Sequence, residues 1–281
     1  MKRTKTFGLI KRDGLVMWGS CALPFVGRNV PCPALVIGSL VSGVVWSLTV
    51  QRVFIRVLQA VLGAASDPEH TKAVHQLSEL ATYLGLVSFG LGCLRASPCY
   101  TEPDGKECWA GSTIPVLDTF LALQLGSYIQ MVVTERLLKQ MPTPETVIHH
   151  VITVIMLSGC AIGRYAPMGL IISLAHDMST PPVKLSRALH ILGYDRAKGP
   201  TFVVFALIFF TSRLVVYPYA AVLPSYRYLV MVSWDDKLGT MIFVLCCVLY
   251  ALDLFFFHEV VGVLVRRGAD QAVPKSKGRK S

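Results

Sequence analysis

Charge is what this sequence has least of. Charged residues make up 16% of the 281, against about 25% in an average soluble domain. So few charges cannot clothe the surface of a globule this size, but they suffice for a chain whose outer surface is lipid. Asparagine occurs once, at Asn29, and the Val-Pro that follows removes it as a glycosylation acceptor. No C-x-x-C pair is present, which argues against a structural zinc site. What is abundant is apolar: 53% of residues, with a mean hydropathy of +0.54. These figures describe a polytopic membrane protein and exclude disordered and fibrous classes.

The net charge of +10 gathers in the tails and a few loops, including Lys2, Arg3, Lys5, Lys11 and Arg12 at the start and Lys275, Lys277, Arg279 and Lys280 at the end. Without a basic folded module or interleaved aromatics, nucleic acid is not the expected partner. Anionic lipid headgroups and the positive-inside rule account for the charge. Six of the eight cysteines (Cys21, Cys32, Cys93, Cys160, Cys246, Cys247) lie in or beside apolar runs, where the thiol behaves as a small hydrophobe.

Crossing ~30 Å of hydrocarbon takes about 20 mostly apolar residues. Seven runs qualify: 33–51, 78–96, 114–134, 145–163, 165–181, 201–222 and 239–264. The fourth and fifth form a tight antiparallel hairpin turned at Gly163-Arg164-Tyr165. A basic segment at 1–32 precedes them, and its apolar stretch 14–26, interrupted by Pro24, reads as interfacial or re-entrant. Residues 33–265 form the membrane domain, and 266–281 a basic tail.

Basic residues divide the loops unequally. Arg52, Arg56, Lys72, Arg136, Lys139, Lys184, Arg187, Arg196, Lys198 and the C-terminal tail fall on one side, which is therefore expected to be cytosolic. The loop 97–113 then faces the lumen, where Cys99 and Cys108 could oxidise to a disulfide. The basic N-terminus fits this topology only if segment 14–26 enters the membrane or the terminus is translocated despite its charge.

Ionisable groups inside lipid are costly and mark function by default. At ~1.5 Å per helical residue, His150 and His176 each lie ~20 Å from the hairpin turn. Tyr128, Gln130 and Asp253 reach roughly that same layer from other spans. A polar chamber just inside the cytosolic face is expected. His149-His150 and His176-Asp177 are its central pieces: a carboxylate beside an imidazole can fix the tautomer and stabilise the protonated ring, while a second histidine serves as nucleophile or hydrogen-bond donor. A diiron centre would need H-x-x-H-H-type spacing, which His70, His75, His190 and His258 do not supply. Arg213 lies deeper and Asp118 nearer the lumenal end; a structural ion pair and a substrate role both remain open for them.

The stretch Pro144-Glu145-Thr146-Val147-Ile148-His149-His150-Val151-Ile152-Thr153, followed by His176-Asp177-Met178-Ser179-Thr180-Pro181, resembles the TLC-domain family. That family takes in ceramide synthases, translocating-chain-associated membrane proteins and TLC-domain-containing lipid regulators. Gly126-Ser127-Tyr128 and Phe209-Phe210-Thr211-Ser212-Arg213 extend the likeness, which runs from about residue 35 to 265. The resemblance implies an all-α fold of seven transmembrane helices, six of them in a barrel-like bundle around a lipid tunnel. It implies acyl transfer from acyl-CoA to a lipid amine such as a sphingoid base, with His149 or His150 as nucleophile or base and His176 with Asp177 orienting and activating. Tyr128, Gln130, Thr153, Ser179, Asp253 and Arg213 would contact the lipid substrate. Arg136, Lys139, Lys184 and Arg187 would pair with the phosphates of acyl-CoA, a co-substrate rather than a bound cofactor; topology-setting charge is their other reading.

The sequence also departs from the synthases: Thr180 stands where they carry a second aspartate, Lys184 where they carry a glutamate, and Arg187 where they carry a lysine. In this the chain is closer to the TLC-domain-containing branch, so a non-catalytic regulator of membrane lipid composition is the alternative to the acyltransferase. A translocon-associated module is a third reading. The expected location is the endoplasmic reticulum membrane, with membrane lipids, acyl-CoA and a homo- or hetero-oligomer as expected partners, and the closing Lys277-Gly278-Arg279-Lys280-Ser281 loosely resembles a dibasic retrieval signal.

Overall fold

The protein is described here from a computed structural model, over residues 68–95, 97, 114–137, 143–231 and 234–272, with single positions between 41 and 60. Most of the expected span 33–51, the segment 1–32, Cys99, Cys108, Lys139 and the end of the basic tail lie outside the described residues, as do the side chains of Gln130 and Arg136.

Among the described residues all regular structure is helical. In chain order these are α1 (Pro68–Leu94), α2 (Pro115–Leu137), α3 (Pro144–Ile162), α4 (Ala166–Asp177), α5 (Thr180–Ile191), α6 (Asp195–Phe209), α7 (Leu223–Met231) and α8 (Lys237–Ala272). Two π-helical stretches, Phe210–Val216 and Pro218–Val222, join α6 to α7 without a break. Helices α1, α2 and α3 each open on a proline, whose fixed φ suits the first turn and whose missing N–H is no loss there. Asp236 starts α8: its Oδ1 accepts the N–H groups of Leu238 at 3.2 Å and Gly239 at 3.0 Å, two donors that a helix start leaves without partners.

Four helical stretches have the length and apolarity to cross a membrane: Thr71–Leu94, Pro144–Ile162, Arg196–Met231 and Lys237–Arg266. The chain is an integral membrane protein. Leu207, Val203 and Phe210 on α6 and its continuation, and Leu254 and Phe255 on α8, are large, apolar and exposed, as lipid-facing surfaces should be. Helix α2 covers the expected 114–134, and its side chains beyond Ile129 are described only at Met131.

The expected span 165–181 needs correction. Helix α4 has 12 residues and ends at Asp177, which at ~1.5 Å per residue reaches only ~18 Å. Pro181 and Pro182 are the cause. Neither has an N–H, so the carbonyls of Asp177 and Met178 cannot receive the bonds that would carry α4 onward. The same prolines are harmless in the first turn of α5, which starts just before them.

The described residues divide into two compact units, one within 89–170 and the other within 51–88 and 171–272. In the first, α2 packs on α3. The turn after α3 is where the sequence places it. Arg164 takes the left-handed conformation (φ 59°), and the N–H of Tyr165 reaches back to the Cys160 carbonyl at 2.8 Å while that of Arg164 reaches Ala161 at 3.4 Å. This is the Schellman end of a helix, built on arginine where glycine is usual. Gly169 then lets helices approach closely, since a Cβ there would stand 2.8 Å from Leu121 Cδ1 and 3.2 Å from Cys160 Cβ. In the second unit α5 and α6 form a closely packed pair, and α8 runs against α6, both π-helical stretches and α7.

Candidate functional site

The second unit holds a buried polar cluster built from four helical segments. His176, at the end of α4, directs Nδ1 at its own helix, 2.8 Å from the carbonyl oxygen of Ile172. A carbonyl only accepts, so Nδ1 carries the hydrogen in that bond. On the other side of the ring, Nε2 lies 3.1 Å from Asp253 Oδ2 of α8, within ion-pair distance. Tyr217 meets the same ring edge-on, with centroids 4.5 Å apart, and its hydroxyl donates to the Cys246 carbonyl at 3.1 Å. Both nitrogens of His176 are thus engaged and its ring orientation is fixed by packing.

Arg213 completes the cluster. Its Nη1 donates to Asp253 Oδ1 at 3.0 Å, its Nη2 to the His176 carbonyl at 2.7 Å and its Nε to Ser179 Oγ at 3.1 Å. Ser179 Oγ in turn donates to the same His176 carbonyl at 3.2 Å. The guanidinium carbon stands 4.7 Å from the centroid of the Phe209 ring, over its face. Asp253 is fully buried and the Arg213 side chain only 12% exposed. A buried charge is tolerated only when paired and hydrogen-bonded, and here the pairing is near complete.

The π-helical stretch is part of how Arg213 gets there. The N–H of Tyr217 bonds to the Ser212 carbonyl five residues back, and that of Leu223 to Pro218. Pro218 supplies the physical reason, having no N–H to donate and a ring that crowds the carbonyl four residues earlier. Such widened turns cluster at functional sites, where they re-aim side chains.

The first unit holds a second group. His149 is buried on α3 and Thr153 Oγ1 donates to its carbonyl at 2.8 Å. The rings of His149 and His150 meet edge-on at 5.7 Å between centroids, and His150 meets Tyr128 of α2 edge-on at 6.0 Å. His150 keeps partial exposure where His149 does not.

Several expected residues are therefore brought together within a unit: His150, His149 and Tyr128 in one; His176, Asp253, Arg213 and Ser179 in the other. Asp253 of α8 brings a carboxylate to His176, and the sequence neighbour Asp177 is itself buried. The ion-pair partner of Arg213 is likewise Asp253. Lys184, expected at acyl-CoA phosphates, pairs with Glu79 of α1 at 2.7 Å, with the two side chains 11% and 15% exposed. Arg187 is exposed. Sequence reasoning had no place for Tyr217 or Glu79; the first was hidden by its apolar run and the second by its distance along the chain. Among the described residues no three His, Cys, Asp or Glu side chains converge as a metal ion would require.

The Lys184–Glu79 pair makes a checkable statement about Lys184. Replacing it with methionine leaves Glu79 half-buried without its ammonium, and the loss of a charge-assisted bond is expected to cost about 1.5–3 kcal/mol. Thermal unfolding of the purified protein in detergent should show that loss, with part of it regained in the Lys184→Met/Glu79→Gln double variant. Two single losses that simply add would show that the pair has no energetic coupling.

Comparison with known proteins agrees with the residue patterns. The model of the TLC domain matches residues 72–261, more than half of the chain. Human ceramide synthase 5 is 23% identical over 157 residues, covering 54% of this chain and 40% of that protein. Bovine ceramide synthase 4 is 30% identical over 117 residues, covering 40% and 30%. Ceramide synthase hyl-1 of Caenorhabditis elegans is 26% identical over 175 residues, covering 55% and 45%. The matches thus span less than half the length of each of these relatives.

Proposed function

The chain belongs to the TLC-domain family, and from that premise we propose that it acts in membrane lipid metabolism, transferring an acyl chain from acyl-CoA to a lipid amine such as a sphingoid base. The observation that carries this reading is a set of imidazoles in a lipid-embedded chain, one of them locked against a buried carboxylate. Groups this costly to bury are kept in membranes where they handle protons or polar substrates.

In the proposed reaction the amine nitrogen attacks the thioester carbonyl, the C–S bond breaks, and the proton lost by nitrogen passes to the departing thiolate. His150 serves as the base that carries that proton, since it is less deeply buried than His149. His149 and Tyr128 orient it. His176, whose two nitrogens are both engaged, holds position and does not itself shuttle the proton. A lipid tunnel through the bundle, location in the endoplasmic reticulum and a cytosolic C-terminus belong to the same proposal, as does contact of acyl-CoA phosphates with Arg136, Lys139 and Arg187.

The test is direct. Purified protein in lipid vesicles, given a long-chain acyl-CoA and a sphingoid base, should release free thiol and form the amide in equal amounts. A second reading, a non-catalytic regulator of membrane lipid composition, is favoured by Thr180 and by the Lys184–Glu79 tie. It is the one left standing if no amide forms while deletion of the protein still shifts phospholipid chain composition in cells.

A further inference from the structure

The corner between α4 and α5 is not held by helix continuity. Pro181 and Pro182 withhold two helical bonds there, and the two residues at the break, Met178 and Ser179, carry the chain from one helix to the next. Yet the flanking residues are deeply buried: His176, Asp177 and Ser179 are each almost inaccessible. Something other than helix continuity must hold this corner in one geometry.

We propose that Arg213 does so, as a positioning residue. One planar guanidinium reaches three acceptors on three different pieces of structure: the carboxylate of Asp253 on α8, the last-turn carbonyl of His176 on α4, and the hydroxyl of Ser179 at the break. The fork geometry is what allows it. A lysine ammonium is a point donor on a flexible stem and cannot meet all three in that arrangement. A cation at a helix carboxyl end also offsets the dipole of α4. The widened turns from Phe210 to Val216 belong to the same device, since they set the angle at which Arg213 leaves its helix. Loss of the clasp frees the α4–α5 corner and with it the segment that carries His176, Asp177 and Ser179.

The primary readout needs no enzymatic activity. Ala175 is buried on α4, one residue before His176, and Ala175→Cys places a small reporter there. Maleimide labelling of the full-length protein in vesicles is followed by mass spectrometry of the peptide carrying position 175. Adding Arg213→Met should speed labelling by about tenfold or more, as expected when a protected segment opens locally. Arg213→Lys should fall between, and Pro218→Ala, which lets the turns narrow, should move in the same direction by less. Labelling within about twofold of the parent in folded Arg213→Met protein overturns the proposal. If that variant does not fold, unchanged labelling in both Arg213→Lys and Pro218→Ala overturns it instead.

A second readout rests on the acyl-transfer reading. In folded Arg213→Lys protein, kcat should fall about 10- to 100-fold with the KM for acyl-CoA little changed, because misplacement of supporting groups acts on the reacting geometry. Unchanged kcat beside faster labelling rejects the link to catalysis. Absence of any amide product in the unmodified protein rejects the acyl-transfer reading, while the labelling result still decides the clasp.

Discussion

Asp253→Ala is expected to destabilise the protein by about 3–5 kcal/mol, the range for breaking a buried ion pair from one side. Both carboxyl oxygens are in use, Oδ1 by Arg213 at 3.0 Å and Oδ2 by His176 at 3.1 Å, and the side chain has no exposed surface. Alanine takes the carboxylate away from both the Arg213 guanidinium and the His176 imidazole. For a chain of this size each kcal/mol corresponds to about 2–4 °C, so the thermal midpoint in detergent should drop by about 6–20 °C. Asp253→Asn keeps the volume and one acceptor oxygen and should lose less. The double variant Asp253→Ala/Arg213→Met should recover part of the loss, because it removes the stranded charge together with its partner. A midpoint for Asp253→Ala within about 2 °C of the parent would mean that the cluster stores no stability and that its contacts are incidental.

The sequence exposes some of this cluster and conceals the rest, for reasons that differ residue by residue. Helix rise alone places His176 and Asp253 at a common depth, and they touch. The same count places Tyr128 with His150, and their rings meet. Depth is legible because membrane spans make position along the chain a coordinate in space. Direction around the helix is less so. Asp177 follows His176 in the chain, but neighbouring helical residues diverge by ~100°, and the carboxylate that reaches the ring comes from 77 positions later. The break after α4 was readable in Thr180-Pro181-Pro182, since proline disfavours helix in the residue before it and withholds a bond within it; apolar content made 165–181 resemble one span instead. The π-helical turns around Arg213 leave no comparable mark beyond Pro218. Lys184 shows the limit of counting charges: its place among cytosolic basic residues suggests a phosphate ligand, and its partner Glu79, on α1, is recognisable only in three dimensions.

His150→Ala should separate chemistry from architecture. A positioned general base is worth about 10²–10⁴-fold in rate, so amide formation from acyl-CoA and sphingoid base should fall by at least ~100-fold. The protein should remain folded, because His150 is only partly buried and its ring contacts with Tyr128 and His149 are edge-on and each worth little. His149→Ala is the informative contrast. That ring is buried, so its removal opens a cavity in α3 packing, and the variant should lose thermal stability along with whatever activity it loses. Tyr128→Phe retains the aromatic edge beside His150 but removes the hydroxyl; a rate close to the parent assigns Tyr128 to packing, whereas a loss near that of His150→Ala assigns its hydroxyl to the proton path. If His150→Ala, in a monodisperse preparation, forms amide at the parent's rate, proton transfer does not pass through α3. The imidazole pair then belongs to the packing of α2 on α3 and to lipid binding, which is the regulator's chemistry and not the acyltransferase's.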